Sequence, residues 1–267
     1  SEDLIALYEF STETGRSDIS GNSYHICYDG EARPEDTTIP SEPETPDVPP
    51  ELGGLTFTAN DFAVVRKKFK DNYPYTFEAT VFVENGYSER AGVILGNHNT
   101  NNDKYLSFEI YENGVPRLCF SNPTNTADVS TFDYRFINVH VNTGVATHVA
   151  ITLDPETGTA ICYINGEAKQ TITRGQTKLV EEHFNNYYLV LGNDPRSNGT
   201  SQHFKGIIGN VTLYSDKRSA DEIKADYNEI DLEDDNILLH YDLSNKTSGN
   251  DIADLSGNGY TAKYGEK

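Results

Sequence analysis

Hydrophobic and polar positions alternate with period 2 along most of the chain. Between Thr147 and Asp154, Val149, Ile151 and Leu153 interleave with His148, Ala150 and Thr152, the pattern of a strand with one buried face. Asp154-Pro155-Glu156-Thr157-Gly158 follows with turn chemistry: Pro155 presets φ, and Gly158 takes φ > 0 without steric cost. A second strand, 160–164, ends in Asn165-Gly166, the dipeptide favoured where both turn residues need positive φ. Similar alternation marks 4–10, a hairpin over 55–65 with Asn60-Asp61 at its turn, and strands at 75–83, 91–96 and 104–111. Asn113-Gly114 turns the chain into 115–121, and further strands are expected at about 134–140, 188–192 and 204–214. Only 219–227 reads as a helix. Ser219 is a good N-cap, Glu222 completes a capping box, and Ile223 with Tyr227 forms an i, i+4 apolar pair. The prediction is an all-β chain, an antiparallel two-sheet sandwich with one short C-terminal helix.

The segment Thr147-His-Val-Ala-Ile-Thr-Leu-Asp154, continuing to Tyr163-Ile-Asn-Gly166, resembles the central hairpin of concanavalin A-like, laminin-G-like jelly-roll domains. Such domains are common in secreted bacterial proteins. Three further stretches extend the resemblance. Asp18-Ile-Ser-Gly-Asn-Ser-Tyr24 is similar to the family's opening loop, Leu55-Thr-Phe-Thr-Ala-Asn-Asp61 to its early hairpin, and Phe204 to Tyr214, followed by the 219–227 helix, to its closing elements. The resemblance spans residues 1 to about 230 and implies the jelly-roll fold of lectins and glucanases, secreted or displayed at a cell surface. It is specific to the fold and does not name a ligand.

Two segments interrupt the pattern. Residues 31–51 hold seven acids and six prolines, too little apolar surface to offset ordering entropy, and are read as an extended insertion in the 1–230 domain. The tail, 231–267, begins acidic and then repeats earlier fragments. Ile237-Leu-Leu-His-Tyr-Asp-Leu-Ser echoes Leu4-Ile-Ala-Leu-Tyr-Glu-Phe-Ser, and Asp254-Leu-Ser-Gly-Asn-Gly-Tyr260 echoes Asp18 to Tyr24. It reads either as a linker and the start of a second module or as strands added to the first sandwich. A chain that opens on Ser1 and carries no Met is read as a piece of something longer.

Charge narrows the partners. The net charge of −21 repels polyanions, which argues against nucleic acid and anionic lipid, and no stretch approaches the ~18 apolar residues of a membrane span. Neighbouring domains of the same chain are expected partners. Cys27, Cys119 and Cys162 lack C-x-x-C spacing, so no zinc site is expected. Cys119 and Cys162 either bridge, if their strands adjoin, or are buried thiols.

No nucleophile elbow, zinc-protease, phosphate-loop or EF-hand pattern is present. Glu229-Ile-Asp231-Leu-Glu233 resembles the E-I-D-x-E signature of laminarinase-type glucanases, in which alternation on a cleft strand aligns nucleophile, helper and acid/base. Here it follows the closing helix and runs into Asp234-Asp235, as an acidic linker would. The fragment itself is therefore read as non-catalytic. The family implies a structural Ca²⁺, for which Asp18, Asn22 and Asp216 offer hard oxygen ligands; the same residues equally stabilise tight turns. It also implies binding of a glycan or cell-surface polysaccharide. Asn97, His98, Asn99 and Asp103 in one loop, Tyr105 beside it, and Asn193, Asp194 and Arg196 in another supply amide, carboxylate, guanidinium and aromatic groups for sugar hydroxyls. The other expectation is a protein-interaction or spacer module without a sugar ligand.

Overall fold

The computed structural model describes residues 53–58, 61–70, 72–84, 91–97, 105–121, 131–176, 179, 182–185, 188–194, 202–244 and 251–265. The strand expected at 4–10, the 31–51 insertion and Cys27 lie outside them. One antiparallel sheet carries β1 (Leu55–Phe57), β3 (Thr76–Val83), β8 (Ala146–Asp154), β9 (Thr159–Ile164), β10 (Glu167–Thr173), β12 (Gly206–Tyr214) and β13 (Ile237–Asp242). Its order is β1-β12-β3-β8-β9-β10, with β13 also on β12. The other carries β2 (Ala63–Val65), β4 (Ala91–Gly96), β5 (Leu106–Tyr111), β6 (Val115–Ser121), β7 (Thr131–Arg135), β11 (Val190–Leu191), β14 (Asp251–Ile252) and β15 (Ala262–Tyr264). Its order is β14-β15-β2-β11-β4-β5-β6-β7. Period 2 decides what lies between the sheets. Phe77, Ala79, Val81 and Val83 of β3 and Val149, Ile151 and Leu153 of β8 meet Leu106, Phe108 and Ile110 of β5 and Leu118 and Phe120 of β6 in one core. The expected sandwich is present.

Two local readings change. The 55–65 stretch is not a hairpin: β1 pairs with β12 in one sheet and β2 with β11 and β15 in the other. Phe57 and Ala63 to Val65 are all buried, and crossing between sheets lets each half bury its apolar side. Asp61 makes the crossing tight by accepting the Thr58 N–H at 2.9 Å. The strand expected near 134–140 is instead 131–135, because Ile137 and Val139 bond back to Arg135 and Phe136 in a turn. Cys119 and Cys162 are buried free thiols in opposite sheets. The tail pairs into both sheets, β13 on β12 and β15 on β2, with Leu239, Tyr241 and Ala262 fully buried.

The 3₁₀ turn Glu112–Gly114 and two short α-helices, α1 (Glu182–Asn185) and α2 (Ala220–Asn228), complete the described elements. α2 starts where its sequence dictates. The Ser219 hydroxyl accepts the Glu222 N–H, and the Glu222 carboxylate accepts the Ser219 N–H at 2.7 Å. Ile223 drops onto Ala150 and Tyr163, so α2 lies across the outward face of the seven-stranded sheet. The rest of the attachment is polar. Buried Arg218 donates from Nε and Nη2 to the Asp226 carboxylate, each at 3.0 Å, and from Nη1 to Asp234, with its guanidinium 4.2 Å from the Tyr214 ring. Beneath the helix, His148 Nε2 lies 2.8 Å from Glu78 Oε2, both side chains almost fully buried. Burial pushes the Glu78 carboxyl above the ordinary carboxylate range, and His148 pulls it partly back.

Leu239→Ala removes a fully buried side chain contributed by the tail and is expected to cost roughly 2–5 kcal/mol, read as a lower urea midpoint at unchanged slope. A change under about 0.5 kcal/mol, the range of a surface substitution, means that the tail does not share this core. A second outcome concerns pH. Because the folded Glu78 carboxyl is raised, its contribution is fully present below its unfolded value, near pH 4, and is lost as pH rises through the folded value. Glu78→Gln abolishes that titration. The stability of the natural chain minus that of the variant is expected to decline from pH 4 toward neutrality; a flat difference contradicts the raised carboxyl.

Candidate functional site

The outward face of the eight-stranded sheet is built differently from the face beneath α2. On β5, β6 and β7 the residues opposite the core positions are Ser107, Glu109 and Tyr111, then Arg117 and Cys119, then Asp133 and Arg135. Asn113-Gly114 joins β5 to β6 with φ of 60° and 77°. A Cβ on Gly114 would sit 2.4 Å from the Val141 carbonyl oxygen, so only glycine closes this turn as built. The turn fixes the β5–β6 register, Glu109 opposite Arg117, and β7 pairs with β6 so that Arg117 lies opposite Arg135 and Cys119 opposite Asp133. Four charged side chains therefore occupy adjacent places on one face.

Their hydrogen bonds form a chain. Arg117 Nη1 donates to Glu109 Oε1 at 2.6 Å, and its Nε and Nη2 donate to the two Asp133 oxygens at 2.8 and 3.1 Å. Ser107 Oγ donates to Glu109 Oε2 at 2.7 Å, and Arg135 Nη2 donates to Asp133 Oδ2 at 3.1 Å. Both guanidinium groups lie over the Tyr111 ring, Arg135 at 4.1 Å and Arg117 at 5.0 Å. Side-chain exposure grades across the strands, from 4% at Glu109 through 16% at Arg117 to 30% at Asp133 and 37% at Arg135. Burial lowers the Arg117 pKa; Cys119, Glu109 and Asp133 around it more than offset this, and its pKa is pushed up. A locked guanidinium–carboxylate array, rising to an exposed edge beside an aromatic ring, presents directed donors to a polar ligand.

Of the loop residues expected to hold a sugar, Asn97, Tyr105, Asn193 and Asp194 fall among the described residues. Asn97 is committed to the backbone: its amide nitrogen donates to the His183 carbonyl, and its oxygen accepts the Leu106 N–H at 2.8 Å. Tyr105 beside it is buried. Asn193 and Asp194 are buried too, Asn193 donating to the Asp61 carbonyl at 3.3 Å. β11 runs antiparallel to β4 with Val190 opposite Gly96, so Asn97 leaves one end of this pair and Asn193 the other. These described members of the two loops are not brought together. His98, Asn99, Asp103 and Arg196 lie outside the described residues, as do Asp18 and Asn22. Asp216 sits just after β12, and its Oδ1 is buried without a hydrogen-bond partner among the described residues. Burial raises its carboxyl. Among the described residues no group of three or more His, Cys, Asp or Glu side chains is placed to hold a metal ion.

The glucanase-like motif does not form a cleft strand. Glu229 is the C-cap of α2, and Asp231 to Glu233 turn the chain toward β13, the Asp231 carboxylate accepting the Glu233 N–H at 3.0 Å. All three carboxylates are exposed, and strand alternation, which the catalytic alignment needs, is missing.

No curated protein matches this sequence. Among solved structures, a candidate carbohydrate-binding protein from Bacteroides ovatus superposes with a TM-score of 0.56 at 19% identity, over 79% of this chain and 58% of that one. The chain thus spans less than two thirds of that protein. The CBM40 domain of a Ruminococcus gnavus IT-sialidase, bound to α2,3 sialyllactose, gives 0.48 at 19% identity over 65% and 96% of the two chains. Tailspike protein 2 of bacteriophage CBA120 gives 0.49 at 16% over 73% and 30%. At these identities the first likeness speaks for the fold alone. A family profile matches residues 56–224, more than half of the chain and the full run from β1 into α2. The chain belongs to the concanavalin A-like lectin/glucanases superfamily.

Proposed function

We propose that this chain is a non-catalytic carbohydrate-binding module of a larger secreted or cell-surface protein, and that it holds its glycan on the outward face of β5, β6 and β7. The observation that carries the reading is the array Glu109–Arg117–Asp133–Arg135 against Tyr111. Sugars bury hydroxyls and ring faces together, and recognition needs rigid bidentate groups beside an aromatic surface. Here the rigidity is built in, because Arg117 is held by three hydrogen bonds before any ligand arrives. The lectin side of the family description agrees with it, and the collapsed E-I-D-x-E geometry favours binding over hydrolysis. A structural Ca²⁺ belongs to the same proposal; the buried Asp216 Oδ1 suits a hard cation. The competing reading is a module that recognises protein or packs against its neighbour.

A glycan array, run with calcium and again with chelator, tests the proposal. Saturable binding is expected, weakened about tenfold or more by Tyr111→Ala, since loss of a ring–sugar contact and of its cation–π partners is worth ~1–2 kcal/mol. Loss with chelator would assign the ion a part in the fold or the site. Hits that ignore Tyr111→Ala would move the site elsewhere, and a blank array in both conditions would favour the interaction module.

A further inference from the structure

The hydrogen-bond inventory of this face is one-sided, and it narrows the class of ligand; the argument rests on the proposed glycan site. A guanidinium has five N–H donors and no acceptor, whereas an ionised carboxylate only accepts. Glu109 is buried, with one oxygen taken by Arg117 and the other by Ser107, so it offers no acceptor to a ligand. Asp133 is shared between two guanidinium groups, with Oδ2 receiving both Arg117 and Arg135 and Oδ1 receiving Arg117. Arg135, the most exposed member, spends one donor on Asp133 and has no other hydrogen-bond acceptor among the described residues. Its Nε is shut away from solvent and has no hydrogen-bond partner among the described residues. What the face leaves open is therefore the Nη edge of the Arg135 fork, against an Asp133 carboxylate whose two oxygens already receive three hydrogen bonds.

A neutral sugar fits such a surface poorly, because each hydroxyl that accepts also brings a donor needing its own partner. A group that only accepts fits it well. We infer that the glycan carries an anionic substituent, a carboxylate or a sulfate ester, received by the free edge of the Arg135 guanidinium while the adjoining ring lies against Tyr111. The cluster is charge-neutral, two arginines against Glu109 and Asp133, so the recognition is by directed hydrogen bonds and not by surplus positive charge. That is how a chain of net charge −21 takes an anion: the long-range field opposes it but is screened beyond about 8–10 Å, while the bidentate contact acts at hydrogen-bond distance. Tyr111 stacks one guanidinium face and holds the fork in place, so it is pre-organised.

The test compares the natural chain with Arg135→Gln and Arg135→Lys on an array carrying matched neutral, carboxylated and sulfated forms of the same glycans, thermal unfolding first showing each variant folded. The expected result is binding at least about tenfold stronger to an anionic form than to its neutral match, with Arg135→Gln removing the preference. Arg135→Lys keeps the charge and loses the fork, and is expected to lose most of the preference; full retention would overturn recognition by the fork. Hits confined to carboxylated glycans identify the carboxylate as the source, and hits confined to sulfated ones the ester. Equal binding of neutral and anionic forms, unchanged in Arg135→Gln, overturns the inference and leaves the carbohydrate-binding proposal standing. A blank array for all three forms overturns both.

Discussion

Arg117 cannot be buried on the outward side of a sheet unless charge meets it from both flanks. Desolvating a guanidinium costs several kcal/mol, and the cost is recovered only when opposite charges and good geometry surround it. Glu109 on β5 and Asp133 on β7 supply that, one strand to either side, Glu109 in the register set by the Asn113-Gly114 turn and Asp133 in the register of β7 on β6. The rest of the face follows from this arrangement. Asp133, already bound by Arg117, is fixed as an anchor for Arg135, and the two guanidinium groups fix Tyr111 between strand and solvent. A slip of one residue between β5 and β6 would turn Glu109 into the core and dissolve the whole group.

The two outward faces of the sandwich have taken opposite courses. On the seven-stranded sheet, polar residues at outward positions are sealed: α2 lies across them, Arg218 ties the helix to the turn that follows, and Glu78 and His148 pair beneath it. Such a buried cluster fixes the position of a helix whose own apolar anchoring is slight, Ile223 being its one buried hydrophobic side chain. On the eight-stranded sheet, the polar residues of β6 and β7 emerge toward solvent as the sheet reaches its outermost strand. One face is closed by its polar network; the other presents its network to whatever binds.

Much of the fold was legible in the sequence because its determinants are local. Alternation in 147–153 and 76–83, positive-φ dipeptides at 113–114 and 165–166, and the Ser219–Glu222 capping box each specify their own structure within a few residues. The crossing at Asp61 was not legible as such, since two short apolar runs around a turn read the same whether they pair with each other or with different sheets. The candidate site was missed for a related reason. Polar clusters in loops attract attention as contiguous letters, whereas Glu109, Arg117, Asp133 and Arg135 are scattered across 27 positions and become neighbours only through strand register. The one local signal was available. In FEIYENGVPRLCF, Glu109, Tyr111 and Arg117 all fall opposite the apolar positions and so share one face of the hairpin.

The central claim is that ligand recognition lies on the outward face of β5, β6 and β7. Nitrogen–proton correlation spectra of the chain, titrated with a glycan to which it binds, test this most directly. Shifts concentrated at Glu109, Tyr111, Arg117, Asp133 and Arg135, fading toward β13 and α2, are the predicted result. Shifts centred on Asn97, on Asn193 or on the α2 face, with the β5–β7 residues unmoved, would contradict it.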